Sequence, residues 1–561
     1  MVSYFFLLSL LSLINTALAA PQVTVNSDQT VTGLDEGNGI ESFKGIPYAQ
    51  PPYGSLRFAR PLAFNGSYDG FQATNFSASC IGLNSSIPDI YASVANQFNP
   101  ITREMQPLIN SMFNISTTTM DENCLYLNIY RPSGLTKDSK KPVMVWIHGG
   151  EFSRGGAIKY NGSHFVQASK NLNQDVLIVT FNYRLGAFGF LGGDAIKSED
   201  SGNAGLLDQR LALEWVQDHI ADFGGDPDRV TIFGQGSGAG SILNHLVALD
   251  GDFTYRSKPL ARAAILQSPT ALSLESITDN KPQRAFEKVA EVAGCGNRRT
   301  STEKLACLRL TSQWQISRAQ LFVNGTNNGI AWTPRSDGSY LRDRPKQLLT
   351  EGKIAHIPFI VGNQQDEGTI QAYSYTDIKT DEDFGNFLSN LVYSISTQEK
   401  KLVANLYPSD PSQGAPFGTG TQGQVTSQFK RVAAFLTDFK YQSGRRQLLQ
   451  QTNDANVTRY NFLSTELQGL IPTLGTFHFN DLLWQWLEDS GPYKAYQDYF
   501  IAFANHLDPN NGTSLPHWPE YTDFNKETLE IEYNGFNITN DDFREEQIEF
   551  LITYPELSSL E

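Results

Sequence analysis

The stretch Val230-Thr231-Ile232-Phe233-Gly234-Gln235-Gly236-Ser237-Gly238-Ala239-Gly240 decides how this chain folds. Its first four residues are apolar or β-branched, and they stop at a run in which every second residue is glycine. That reads as a buried strand ending in a tight turn, with a helix beginning just after it. The same pattern recurs outward from here. Pro142 to Ile147 reads P-V-M-V-W-I and breaks at His148-Gly149-Gly150, and similar runs lie at Val176 to Phe181, Ala263 to Leu266 and Pro358 to Val361. Between them are helical stretches, the clearest from Leu206 to His219, where Leu206, Leu207, Leu211, Leu213, Trp215 and Val216 make a broad apolar face. Buried strands alternating with helices predict an α/β fold, a mostly parallel sheet covered by helices on both faces. Ligands of such sheets sit at the carboxyl ends of the strands, so the loops after Ile147 and Phe233 carry the most weight.

The chain has 561 residues, 40% of them hydrophobic, which is ample for a large core. Length alone suggests about three or four domains. The balance of 43 basic against 59 acidic residues, net −16, comes with no basic run, which excludes nucleic acid as an expected partner. At the N-terminus an apolar stretch from Phe5 to Leu13 precedes Ala17-Leu18-Ala19. Residues 1–19 read as a secretory signal peptide, with a short buried helix as the competing reading because no Lys or Arg stands ahead of the apolar stretch. Nine Asn-x-Ser/Thr sequons, at Asn65, Asn75, Asn84, Asn114, Asn161, Asn324, Asn456, Asn511 and Asn537, fit a secreted, extracellular glycoprotein. No later run of about 18 apolar residues follows, so no membrane span is expected. The end, Ser558-Ser559-Leu560-Glu561, is neither a retention signal nor a lipid-anchor tail. Four cysteines suit an oxidising compartment and allow three pairings, of which the nearest-neighbour one, Cys80 with Cys124 and Cys295 with Cys307, is adopted. None is spaced as Cys-x2-Cys and none adjoins a His, so neither a metal nor a cofactor is expected. The Pro-, Gly-, Ser- and Thr-rich stretch Tyr407 to Gln424 reads as a surface loop rather than a domain linker.

Several ordered motifs carry a resemblance. They are F-K-G-I-P-Y-A-Q-P-P at Phe43 to Pro52 with L-R-F at Leu56 to Phe58, E-N-C-L-Y-L-N-I-Y-R-P at Glu122 to Pro132, W-I-H-G-G at Trp146 to Gly150, and N-Y-R-L-G at Asn182 to Gly186. Further along come G-N-A-G-L-L-D-Q at Gly202 to Gln209, D-E-G-T at Asp366 to Thr369 and G-T-F-H at Gly475 to His478. Together they resemble the type-B carboxylesterases and lipases, with G-C-G at Gly294 to Gly296 and L-A-C-L-R at Leu305 to Arg309 closest to the fungal extracellular lipases. The resemblance implies one α/β-hydrolase domain over residues 20–561, in place of the several domains that length suggests. It also implies a small-molecule ester or lipid as ligand, and it supports the adopted disulfides, Cys80 and Cys124 falling where members close a loop over the pocket. That loop is apolar from Ile87 to Phe113 and reads equally as a moving flap or as a static cap packed on the core.

Acyl transfer on this scaffold needs a hydroxyl on a sharp strand-to-helix turn, a histidine to take its proton, a carboxylate to hold the histidine, and backbone N–H donors for the oxyanion. Taken alone, Glu367 would read as a solvated loop carboxylate and His478, between Phe477 and Phe479, as a core histidine. The resemblance implies that Glu367 is the acid and His478 the base. It places the nucleophile at Gly236, which has no hydroxyl: members read F-G-E-S-A-G, and here Gln235, Gly236 and Ser237 all depart from that pattern. Ser237 is the alternative nucleophile, one residue out of register with the elbow. The implied oxyanion donors are the N–H groups of Gly150, Glu151 and Ser237. An inward-pointing Glu151 carboxylate would repel the developing charge, so it is expected to turn to solvent or to a cation. Three functions follow: an ester- or lipid-binding protein with weak or no hydrolysis, an active hydrolase using Ser237 or an activated water, and a non-catalytic binding or adhesion protein. Nothing in the sequence speaks to the oligomeric state.

Overall fold

The computed structural model describes residues 20–554 apart from 84–86, 96–106, 108, 111–118, 271–272, 274, 327–331, 393–394, 453–456 and 488–493. The expected signal peptide, residues 1–19, lies outside the described residues, as do the sequons at Asn84, Asn114 and Asn456. Of the remaining sequons, Asn65, Asn75, Asn161, Asn511 and Asn537 are exposed and Asn324 is half-buried.

Eleven strands build the main sheet: β1 (Leu34–Gly37), β2 (Ile40–Pro47), β3 (Tyr126–Pro132), β4 (Lys141–Ile147), β5 (Leu177–Phe181), β6 (Gly225–Gln235), β7 (Ala263–Gln267), β8 (Phe359–Gln364), β9 (Arg459–Ser464), β10 (Glu527–Glu532) and β11 (Gly535–Asn540). Their order across the sheet is β11-β10-β9-β8-β7-β6-β4-β5-β3-β2-β1. Every pairing from β10 across to β5 is parallel, and the antiparallel pairs are confined to the two edges. The five strands predicted from apolar runs are all in the parallel centre, where both faces are covered and no polar alternation is needed.

The helices that matter here are α1 (Ser163–Asn171), α2 (Ala204–His219), α3 (Ser237–Val247), α4 (Asn280–Val292), α5 (Ser301–Leu310), α6 (Gln313–Thr326), α7 (Phe429–Thr437), α8 (Asn480–Leu487) and α9 (Lys494–His506). Successive side chains of a strand point to opposite faces. In β4, Val143, Val145 and Ile147 therefore pack with Leu206 and Leu213 of α2 and Ile242 of α3. Met144 and Trp146 pack on the other side with Phe165 of α1, Trp486 of α8 and Phe503 of α9. Leu211, read as part of the α2 face, is only partly buried at its margin.

Four of the motifs are joined two by two through buried ion pairs. Arg184 of N-Y-R-L-G donates from Nε and Nη2 to Asp208 of G-L-L-D-Q at 2.7 Å each, and its backbone N–H reaches the same carboxylate at 3.0 Å. Arg57 of L-R-F grips Glu122 of E-N-C-L-Y-L through two bonds of 2.6 Å. Such forks join distant segments with fixed geometry, and losing one partner strands a buried charge.

The disulfides are Cys80–Cys124 and Cys295–Cys307. At the base of the first loop, Ser79–Cys80 pairs with Met120–Asp121. Within the loop, Tyr91 and Ile109 are buried in the core below, Tyr91 with its ring 6.1 Å from that of Phe477. Ile90 is partly buried against the same core, and the loop's other apolar side chains from Ile87 to Phe113 lie outside the described residues. The stretch Tyr407 to Gln424 is exposed over much of its length but is pinned at several points. Tyr407 and Ala415 are buried, Ala415 precedes a cis proline, and Lys430 Nζ donates to Thr419 Oγ1 at 2.6 Å and to the carbonyl of Gly420 at 2.8 Å.

Candidate active site

The centre of the site is the turn between β6 and α3. Gly236 adopts φ +57°, ψ −123°, a conformation that a side chain would strain. Its N–H donates to the carbonyl of Gln267 at the end of β7, and its own carbonyl accepts from Gly240, each at 2.9 Å. The helix can start here because Gly238 presses on β4: a Cβ at that position would lie 2.0 Å from the carbonyl oxygen of Ile147.

Glu367 follows β8 and is fully buried. One carboxylate oxygen accepts from Asn363 Nδ2 at 3.1 Å and from the backbone N–H of Gln364 at 2.8 Å; the other meets His478 Nδ1 at 2.5 Å. The carboxylate thus holds the imidazole proton on Nδ1 and leaves Nε2 as an acceptor, a tautomer assigned from the hydrogen bonds. Nε2 faces the turn: a Cβ built on Gly236 would lie 2.9 Å from it. The fold therefore brings Glu367, His478 and Gly236 into one line, in the order the sequence motifs imply. The amide of Gln235 occupies the same region, its Nε2 lying 3.2 Å from His478 Nε2 and 3.4 Å from Nδ1. Nearly equal distances to both ring nitrogens place the amide against the face of the imidazole. Behind the imidazole stands Tyr441, ring centroids 4.5 Å apart.

The hydroxyl of Ser237 accepts the N–H of Phe152 at 3.3 Å. Among the described residues, none of the N–H groups of Gly150, Glu151 and Ser237 donates to a protein acceptor. These are the three donors implied for an oxyanion. Glu151 sits at φ +56°, unusual for a residue with a side chain, and its carboxylate turns to Arg154 Nη2 at 2.9 Å, the cation expected of it. Packing around the carboxylate opposes its charge although the side chain is 47% exposed, and Arg154, Lys440 and His478 together outweigh this and hold its pKa below the ordinary value. Burial lowers the Lys440 ammonium, against the pull of Glu151.

Sequence reasoning missed the carboxylates that frame this line. Asp366, one residue before Glu367, accepts the backbone N–H groups of Phe417 at 2.8 Å and Thr476 at 2.9 Å, tying the Glu367 loop to the His478 loop and to the Tyr407–Gln424 stretch. Burial pushes it up to about 7, against those two N–H bonds. Asp481, in the turn after His478, accepts Gln267 Nε2 at 2.6 Å and is pushed up to about 7 by burial and by Glu367. Glu466 takes bonds from Ser464, Asn480 and Tyr496 and is pushed up to about 8 by burial and by Asp481. The only local signal was proximity to D-E-G-T and G-T-F-H, and acidic side chains near a motif are too common to single out.

The chain matches the profile of the carboxylesterase family over residues 19–551. It is 43% identical to Lipase 1 of Geotrichum candidum over 551 residues, covering 97% of each protein. It is 35% identical to the secreted triacylglycerol lipase LIP1 of Gibberella zeae over 532 residues, covering 93% of this chain and 88% of that one. The crystal structure of EstA from Aspergillus niger superposes with a TM-score of 0.77 at 24% identity, over 96% of this chain and 99% of that one, a likeness of the α/β-hydrolase fold.

Proposed function

This chain belongs to the carboxylesterase family, close to the fungal lipases, and on that premise we propose that it is a secreted glycoprotein that binds a small ester or lipid but hydrolyses it weakly or not at all. The observation that carries this reading is the 2.9 Å between His478 Nε2 and the place where a Cβ on Gly236 would stand. That is closer than a Cβ tolerates, so a serine side chain there would press on the base and the imidazole would have to withdraw slightly to receive its hydroxyl; this chain brings none. Glu367 serves as the acid and His478 as the base of an arrangement without its nucleophile. Gly150, Glu151 and Ser237 supply the N–H donors that hold an ester carbonyl. Ser237 is the helix start rather than a substitute nucleophile, because its hydroxyl is engaged by Phe152. The processed chain begins after Ala19 and carries glycans at its exposed sequons.

Losing the serine of such an arrangement costs roughly 10⁶ in turnover, while binding and oxyanion donors alone leave roughly 10³ to 10⁴ over water. Hydrolysis of p-nitrophenyl acetate and butyrate by wild type, Gly236→Ser and His478→Ala tests the reading. Wild type is expected at the level of His478→Ala, with Gly236→Ser higher by about 10³-fold or more. Strong wild-type turnover that disappears in His478→Ala would overturn it in favour of Ser237 or a water held beside the imidazole.

A further inference from the structure

Away from the site, α6 has one face in the core and the other in water. Ile316, Ala319 and Val323 are fully buried. Trp314 and Leu321 are 66% and 61% exposed, and Phe322 is 48% exposed. These three recur at i, i+7 and i+8, so they form one stripe along the helix, with Arg318 between them. Leu310, at the end of α5, is 90% exposed and extends the stripe. An apolar patch of this size on an otherwise polar surface marks a contact with a partner or with lipid.

The charge around the patch is the reverse of the chain's. Between residues 281 and 318 there are eight Lys and Arg against three Asp and Glu, and counting Glu275 and Glu199, which pair with Lys281 and Arg309, leaves the region at +3 in a chain of net −16. Cations stand level with the apolar side chains: Arg318 lies 5.9 Å from the Trp314 ring and Lys288 Nζ 5.1 Å from the Phe322 ring. Arg298 and Arg299 line an open cavity of about 530 Å³ with Glu303, Cys307 and Leu310; Glu303 accepts the backbone N–H of Arg299 at 2.9 Å, and among the described residues neither guanidinium has an acidic partner. The Cys295–Cys307 disulfide ties the loop that carries both arginines to α5, and α4 packs against both α5 and α6, so the three helices form one stapled platform.

From this we infer that the α4–α5–α6 platform docks on an anionic lipid surface, Trp314, Leu321 and Phe322 entering the headgroup layer while Arg298, Arg299 and Arg318 meet phosphate. The charge selects this occupant over a second copy of the chain, since a symmetric pairing of this face would set +3 against +3. The rest of the molecule, being acidic, would be repelled by such a layer, which also sets the orientation. This inference is independent of the pocket's chemistry. Asn324, the sequon asparagine three residues beyond Leu321 on the same helix, is half-buried.

Flotation of the full-length protein with vesicles of phosphatidylcholine alone, and of phosphatidylcholine with phosphatidylglycerol, tests it. Wild type should float with the anionic vesicles and be released by salt. Trp314→Ser/Leu321→Ser/Phe322→Ser and, separately, Arg298→Gln/Arg299→Gln/Arg318→Gln should each weaken this by roughly tenfold or more. Thermal unfolding should be unchanged in both, because the replaced side chains are on the surface. No preference of wild type for the anionic vesicles, or undiminished binding by either variant, would overturn the inference. So would a wild-type dimer that the apolar variant dissociates, which would make the face an interface between copies.

Discussion

Gly236 and Gln235 act on the same ring, that of His478. The first brings no hydroxyl to Nε2, and the second sets its amide against the face of the same ring. A serine restored at 236 needs the imidazole to withdraw slightly, and the amide stands in that region. A polar contact of this kind contributes about 0.5–1.5 kcal/mol net, a factor of roughly 2 to 10. Gln235→Ala in the Gly236→Ser background should accordingly raise kcat for p-nitrophenyl butyrate by about 2- to 10-fold. An unchanged or lower kcat would mean that the amide orients the imidazole rather than occupying it. At the same scale, Glu151 holds a left-handed backbone in spite of its side chain, and its carboxylate is paired with Arg154.

Between elements, the site is held by contacts that cross long stretches of chain. The acid loop after β8, the base loop before α8 and the Tyr407–Gln424 stretch meet at Asp366, whose carboxylate takes one backbone N–H from each of the latter two. Removing that carboxylate leaves two N–H groups without partners, each costing about 1–3 kcal/mol when buried. Asp366→Ala should lower the unfolding free energy by roughly 2–4 kcal/mol in urea titrations. It should also open the Tyr407–Gln424 stretch to limited proteolysis. Loss of stability without new cleavage there would show that the stretch is anchored by Lys430 instead. The ion pairs Arg184–Asp208 and Arg57–Glu122 join distant segments in the same way, and N-Y-R-L-G also reaches the candidate site, the Tyr183 hydroxyl donating to the carbonyl of His148 at 2.7 Å and lying against Ser237.

For the whole molecule, the buried carboxyls make stability depend on pH. Asp366 and Asp481 are raised to about 7 and Glu466 to about 8, in each case chiefly by burial. An unfolded carboxyl ionises near 4, so between about 4 and 8 the folded chain holds protons that the unfolded chain has lost. The stabilisation is complete below about 4 and is lost as pH rises through 7 to 8. Asp541 works the other way. Burial opposes its charge, but Arg445 and Arg446 hold it well below the ordinary range, a contribution lost as pH falls. The net of −16 adds repulsion as pH rises. The melting temperature should therefore decline from about pH 5 to about pH 8, and Asp481→Asn should flatten that decline. An equal slope in wild type and Asp481→Asn would assign the effect to surface charge.

What the sequence by itself determined is the α/β order, the resemblance that picks out Glu367 and His478, and the absence of a hydroxyl at Gly236. These were legible because they are local: an apolar run makes a buried strand wherever it sits, and a motif keeps its order along the chain. Only the tertiary structure decided where side chains point. Gln235 meets His478 across 243 residues, Ser237 meets Phe152 across 85, and Asp366 meets Phe417 across 51. No periodicity encodes such contacts, because the direction of a polar side chain is set by the partners that packing brings to it, and those partners arrive from other elements.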